Sequence, residues 1–342
     1  MKVSELKSIV NRLGKVIEKK NSLPILDYVL FQNNTATVSD LNVTKSINVP
    51  VEGSFLVNFA DLKKLVTKFR PTEEVEFLVN GSEVRIIYKN SAFALNTASA
   101  VKIDEFPSVP NQMQGRILTL SIQDIKKAVR CSKFSNKGDI RPAMSGVYFG
   151  TAEIVATNGH VLWREQYEIP VHTVREINVR KKLIDSLENE SVSIYETSEN
   201  VVAFVNSDSI AYVRELLERF PNYQSVIPQN YSNSFEVNKK DFQGLLSLAD
   251  TIKGKEKKDQ GLVFTVHKSL ILSLQNIEAG KSYSGSINAV TTSYIPKFSL
   301  NIVTLQGMLK EIDAEILKFE VKDANSVVSV NNQLIMPQTM SS

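Results

Sequence analysis

The chain has 342 residues, of which 42% are hydrophobic and 23% charged, and a net charge of +3. That length predicts two or three domains of a soluble globular protein, and no apolar run approaches the roughly 18 residues that a membrane span needs. A single cysteine, Cys131, excludes an internal disulfide framework and a cysteine-rich metal site. With an N-terminus that lacks the apolar core of a signal peptide, it sets a cytoplasmic location as the expectation.

In chain order, Leu6, Ile9, Val10, Leu13 and Ile17 stand at helical spacing and predict a helix over 4–20, with Ser4 as its N-cap. YVLFQNNTATVSD follows as two alternating runs about a short turn, which predicts a β-hairpin. A second helix is predicted over 57–70, in VNFADLKKLV with Asn58 at its capping position, then a second hairpin in VEFLVNGSEVRIIY. The same order then recurs twice. Helices are predicted over 121–137 and 238–258, opened by Ser121 and Asn238, which lie 117 and 234 residues beyond Ser4. Asp124 and Asp241, three residues after those caps, favour the positive helix end. GVYFGTAEIVATN and GLVFTVHKSLILSLQ repeat the first hairpin, and VSIYETSENVVAFV and LKFEVKDANSVVSV the second. Helices over 178–190 and 301–313 repeat the second helix, with Asn178 and Asn301 matched to Asn58. The prediction is an α+β chain of three copies, bounded as 1–115, 116–231 and 232–342, each with two helices packed on antiparallel strands.

Charge divides by element. The six helical segments hold 24 Lys and Arg against 12 Asp and Glu, so they carry +12 and the remainder of the chain −9. Solubility alone does not require that division. A lysine-rich face without sequence-reading motifs suits contacts to phosphates, which are indifferent to base sequence and sensitive to salt. Lys126, Lys127, Lys181 and Lys182 are the helical candidates. No phosphate-binding glycine loop, dinucleotide fingerprint or nucleophile elbow is present, and His160, His172 and His267 are not spaced as local metal ligands. No cofactor is therefore expected. VATNGHVLW, residues 155–163, sets the rare His160 beside the only tryptophan, Trp163. The residues alone leave another class open: a hydrolase or transferase that pairs His160 with a distant carboxylate.

Six stretches carry a resemblance: LPILDYVLF (Leu23–Phe31), DIRPAMSGVYF (Asp139–Phe149), VATNGHVL (Val155–Leu162), RFPNYQSVIP (Arg219–Pro228), FSLNIVTLQGML (Phe298–Leu309) and LIMP (Leu334–Pro337). Together and in this order they resemble the bacterial sliding clamp, the beta subunit of the replicative DNA polymerase, over the whole length. The resemblance implies a non-enzymatic homodimer, a head-to-tail ring of six clamp domains whose helices face encircled duplex DNA. It implies a groove for short peptides of the replicative polymerase, the clamp loader and other replication or repair proteins, and a peptide-binding scaffold that uses this groove but does not encircle DNA is the alternative. By residue, that groove takes Met144, Thr157, Gly159, His160, Leu162, Pro221, Val226, Asn301, Thr304, Leu334, Ile335, Met336, Pro337 and Met340. The resemblance adds Lys20 and Arg141 to the DNA-binding candidates, and gives the subunit joint to Phe93 and Leu95, in SAFALN, against Ile252. Val161 and Ser225 stand where the family commonly has arginine, and the chain runs past the family's usual terminal apolar residue into Ser341 and Ser342.

Overall fold

The computed structural model describes residues 1–18, 21, 23–80, 83–96, 102–110, 112–136, 141–169, 175–187, 190–197, 200–231, 233–256, 260–291 and 293–339. The first copy runs α1 (Val3–Leu13), β1 (Tyr28–Gln32), β2 (Thr35–Ser39), β3 (Val43–Asn48), β4 (Phe55–Asn58), α2 (Phe59–Lys68), β5 (Val75–Asn80), β6 (Glu83–Tyr88) and β7 (Ser91–Asn96). The second runs β8 (Arg116–Leu120), α3 (Ile122–Ser132), β9 (Gly146–Phe149), β10 (Glu153–Thr157), β11 (Val161–Gln166), β12 (Ile177–Arg180), α4 (Lys181–Ser186), β13 (Val192–Glu196), β14 (Val201–Val205) and β15 (Ser209–Arg214). The third runs β16 (Asn233–Asn238), α5 (Lys239–Asp250), β17 (Gly261–Val266), β18 (Ser269–Asn276), β19 (Lys281–Asn288), β20 (Val290–Thr291), β21 (Phe298–Asn301), α6 (Ile302–Leu309), β22 (Ile316–Val321), β23 (Val328–Val330) and β24 (Gln333–Ile335). The repeated α+β order and all six predicted hairpins are present. Among the described residues no helix is long and apolar enough to cross a membrane.

Local chemistry explains the helix ends. Asn58, Asn238 and Asn301 cap α2, α5 and α6, each side chain accepting a backbone N–H of the first turn. Ser121 and Asp124 cap α3 reciprocally, Asp124 N–H to Ser121 Oγ at 3.1 Å and Ser121 N–H to Asp124 Oδ2 at 3.1 Å. Two expected caps are corrected. Ser4 lies inside α1, which starts at Val3 without a side-chain cap. Asn178 lies in β12, paired with Tyr148 of β9, and Arg180 precedes α4. The strand registers show why: Asn58, Arg180 and Asn301 pair with Tyr28, Gly146 and Gly261, the first residues of β1, β9 and β17. Arg180 is thus the true counterpart of Asn58, and the asparagine two residues earlier is a coincidence of sequence. The helices are also shorter than periodicity predicts. α1 closes at Gly14, and α4 yields its first residues to β12.

The chain forms two compact units. One holds Met1–Ser132, Gly146–Ile154 and Gln166–Arg219; the other holds Lys133–Ser145, Val155–Glu165 and Phe220–Ser342. In the first unit an eight-stranded sheet runs β4-β1-β2-β3-β15-β14-β13-β8. Its centre is the antiparallel pair β3–β15, so strands of the first and second copies share one ladder. The unit also contains the sheet β5-β6-β7, and α1 packs on α2 as α3 packs on α4. Buried Leu6, Ile9, Val10 and Leu13 form the inner face of α1. In the second unit the order β11-β24-β23-β22-β16-β20 joins a strand of the second copy to the third, beside the sheet β19-β18-β17-β21, and α5 packs on α6. Its core is a phenylalanine cluster of Phe235, Phe242, Phe264, Phe298 and Phe319, all at most 1% exposed.

Candidate functional site

The turn that carries His160 is built by its own polar residues. Asn158 Oδ1 accepts the N–H groups of His160 and Val161, both at 2.9 Å. Thr157 Oγ1 donates to the Val161 carbonyl at 2.7 Å and accepts Gly159 N–H at 3.1 Å. These bonds hold Gly159 at φ +84° and leave Gly159 and His160 exposed at the tip. A Cβ at position 159 would stand 2.9 Å from Arg141 Nη1, so the glycine also admits the guanidinium. Gly159→Ala should therefore lower stability by about 1–3 kcal/mol and displace Arg141; an unchanged urea midpoint would count against this.

The turn feeds β11 into β24. Val161 pairs with Ile335 and Leu162 with Leu334, and Met336 N–H donates to the His160 carbonyl at 2.8 Å. Gln333 clamps the same edge, accepting Arg164 N–H at 2.8 Å and donating to the Arg164 carbonyl at 2.9 Å. Beyond it, Gln338 N–H donates to the Ser299 carbonyl at 2.8 Å. Contacts thus link Arg141, Gly159, His160, Leu162, Leu334, Ile335 and Met336. Val226 (49% exposed) and Met336 (43%) are the open apolar side chains, with Met144, Pro221 and Pro337 half-buried. Leu162 (5%), Leu334 (3%) and Ile335 (1%) are buried on the paired strands β11 and β24. Thr157 is likewise buried, its hydroxyl spent inside the turn. Asn301 accepts Thr304 N–H at 3.0 Å as the α6 cap, so both residues have a structural task. Met340 lies outside the described residues. Trp163 packs below the turn, stacked on Phe134 at 4.4 Å.

The lysines differ in freedom. Lys126 is exposed on α3. Lys127 donates to the Gln166 carbonyl at 2.8 Å, and Lys181 to Ser132 Oγ and Asp185, each at 3.1 Å. The ammonium of Lys182 is held by Asp40 and by Glu18. Arg141 stands at the Gly159 turn rather than on a helix, and Lys20 lies outside the described residues. Sequence reading missed a further basic residue, Lys45, 2% exposed, whose ammonium donates to the Ser186 carbonyl at 2.6 Å. Nothing local in VTKSIN marks that lysine as buried.

Two strand edges complete the geometry. β7 is bonded only to β6, and β19 only to β18, among the described residues. On β7, Phe93 and Leu95 are half-buried on one face, with Phe93 5.7 Å from Phe69. Ile252 follows α5, and its carbonyl accepts from Asn276 at the end of β18, where β18 turns into β19. Among the described residues no carboxylate hydrogen-bonds the His160 imidazole, and no group of three His, Cys, Asp or Glu side chains is placed to hold a metal ion.

The fold formed by these copies, two helices on antiparallel sheet repeated along the chain, is the DNA sliding clamp fold. Solved structures match it over nearly their full length. A sliding clamp of Bartonella birtlesii, the beta subunit of DNA polymerase III, superposes with a TM-score of 0.88 at 23% identity over 99% of both chains. The Thermotoga maritima DNA polymerase III beta subunit gives 0.86 at 18%, over 100% of this chain and 99% of that one. By sequence, the beta sliding clamp of Halalkalibacterium halodurans is 25% identical over 284 residues, 73% of each chain. That of Treponema pallidum is 24% identical over 341 residues, 92% of this chain and 90% of its own. No protein-family profile matches. By sequence and fold together, the chain is a divergent relative of the bacterial beta sliding clamps, which are non-catalytic accessory subunits of DNA polymerase.

Proposed function

We propose that the chain is a processivity clamp: two copies join head to tail, encircle duplex DNA and tether the replicative polymerase in the cytoplasm. The segments 1–115, 116–231 and 232–342 act as its three clamp domains. One observation carries this reading. The strand that follows the first hairpin of the first copy pairs with the last strand of the second (β3–β15), and the strand that follows the first hairpin of the second copy with the last strand of the third (β11–β24). The rule leaves β19 and β7 as its two unpaired ends, and a second copy of the chain satisfies both. Natural edge strands are guarded by charge, yet β7 and residues 282–288 of β19 contain none. Pairing β19 of one chain with β7 of the next closes a ring and removes every such edge.

The excess of basic charge in the helical segments supports DNA as the encircled partner. The surface around Met144, Gly159, His160, Pro221, Val226, Met336 and Pro337 supplies the peptide groove for the polymerase, the clamp loader and repair proteins. It is apolar, with Arg141 and His160 as its few polar groups. The test is sedimentation of the full chain, followed by loading onto nicked circular DNA with a clamp loader. A dimer retained on the circle and released when the DNA is linearised is the expected result. A monomer at micromolar concentration, or equal retention on circular and linear DNA, overturns the ring.

A further inference from the structure

The two joints within the chain are strapped by ion pairs. Beside β3–β15, Arg12 of α1 makes a bidentate pair with Asp208, both bonds 2.6 Å, and Lys182 of α4 pairs with Glu18 and Asp40. In the second unit, Lys133 after α3 pairs with Glu311 after α6 at 2.7 Å. The internal repeat tells which residues hold these places where the third copy meets the first copy of another chain.

Arg12 stands two residues after a buried side chain (Val10) and one before another (Leu13). Arg130 of α3 has the same setting between Ala128 and Cys131, and in α5 the residue so placed, between Leu246 and Ala249, is Leu248. Leu248 is 57% exposed. Asp208 immediately precedes β15; the residue immediately before β7 is Asn90. Lys133 lies three residues beyond Arg130, and three beyond Leu248 is Thr251. Lys182 is the second residue of α4, and the second residue of α2 is Ala60. Each of the three straps has therefore lost at least one of its charges. What remains is apolar: Leu248 and Ile252 on one side, Phe93 and Leu95 on the other. The nearby helical charge is mostly of one sign, Lys63, Lys64 and Lys68 on α2 and Lys253 and Lys255 after α5, although Lys253 is held by Asp250.

We infer that the subunit joint is closed by strand pairing and an apolar contact centred on Leu248, without ion pairs, so that salt which strips the ring from DNA does not open it. This rests on the ring reading above. Screening weakens attractive ion pairs and relieves like-charge repulsion, whereas apolar burial is insensitive to it. Rising ionic strength therefore weakens DNA contact and leaves ring closure unchanged or stronger.

The experiment is a dilution series of the full chain by sedimentation velocity at 0.1 and 1 M KCl, chosen to span the range in which ion pairs are screened. The dimer dissociation constant should fall or change by less than about threefold. Leu248→Arg should raise it about tenfold or more by placing an unpaired cation in the joint. Adding Asn90→Asp, on the pattern of Arg12 and Asp208, should recover affinity and make it salt-sensitive. Leu217→Arg, at a 70% exposed leucine on neither edge, should leave the constant unchanged. A wild-type dimer that weakens threefold or more in 1 M KCl overturns this inference and leaves the ring standing, as does a Leu248→Arg dimer of unaltered affinity. A chain that is monomeric in both salts overturns the ring and this inference with it.

Discussion

Phe264→Ala should destabilise the second unit by about 3–5 kcal/mol, the range for deleting a fully buried phenylalanine. Phe264 is 0% exposed and stacks on Phe298, its cross-strand partner between β17 and β21, at 4.6 Å and 14°. Phe319 and Phe242 lie 5.8 and 6.1 Å away, so the ring is contacted from three elements and its loss leaves a void that no single neighbour fills. The effect reaches the candidate groove through one covalent step. Phe298 precedes Ser299, whose carbonyl anchors Gln338, just beyond Met336 and Pro337. The alanine variant should thus weaken binding of a polymerase-derived peptide as well as lower the urea midpoint. Phe264→Leu, which keeps most of the volume, should cost less than about 1.5 kcal/mol. A Phe264→Ala loss under 1 kcal/mol would show that the cluster is not the core of this unit.

Lys45→Met carries the second large effect, on the joint between the first two copies. Lys45 sits in β3 opposite Ala211 of β15, and its ammonium donates to the last carbonyl of α4. Methionine preserves the stem and removes the donor, leaving the Ser186 carbonyl to bear a desolvation cost of about 1–3 kcal/mol. Lys45→Ala should cost more, by the cavity. Equilibrium unfolding of both variants tests this, and equal stability of wild type and Lys45→Met would refute it. The same charge acts on Asp208. Its carboxyl is held below the usual range first by hydrogen bonds from Arg12, against its burial, and then by the positive charges of Arg12 and Lys45. The sign follows: this contribution is present above the ordinary carboxylate range and is lost as pH falls through the lowered value. With Asp208 42% exposed, it amounts to less than about 1 kcal/mol.

Local patterns made much of this legible from residues alone. Side chains at helical and alternating spacing mark the helices and hairpins, and Asn58, Asn238 and Asn301 announce their helices because a cap is a contact within three residues. The strands that follow the first hairpins were harder. VTKSIN and KSYSGSIN lack the alternation that reveals β1 and β17, because β3 buries polar residues against β15 and β19 is an edge. Asn178 misled, since one-dimensional matching prefers an identical residue to the Arg180 that strand register selects. Among the groove candidates, residue type could not tell the exposed Met336 from the buried Ile335 beside it, for both are apolar and adjacent.

The sequence by itself determined the three copies, their α+β content and the surplus of basic charge along the helices. These depend on composition and on spacings of a few residues. Only the tertiary structure decided which strands join the copies, that Lys182 is neutralised while Lys126 is exposed, that Lys45 is buried, and that Leu248 stands bare where Arg12 is paired. The reason is distance along the chain. Lys45 meets its carbonyl 141 residues away and Arg12 its carboxylate 196 residues away, and such partners are chosen by sheet register and burial, which no local stretch of sequence contains.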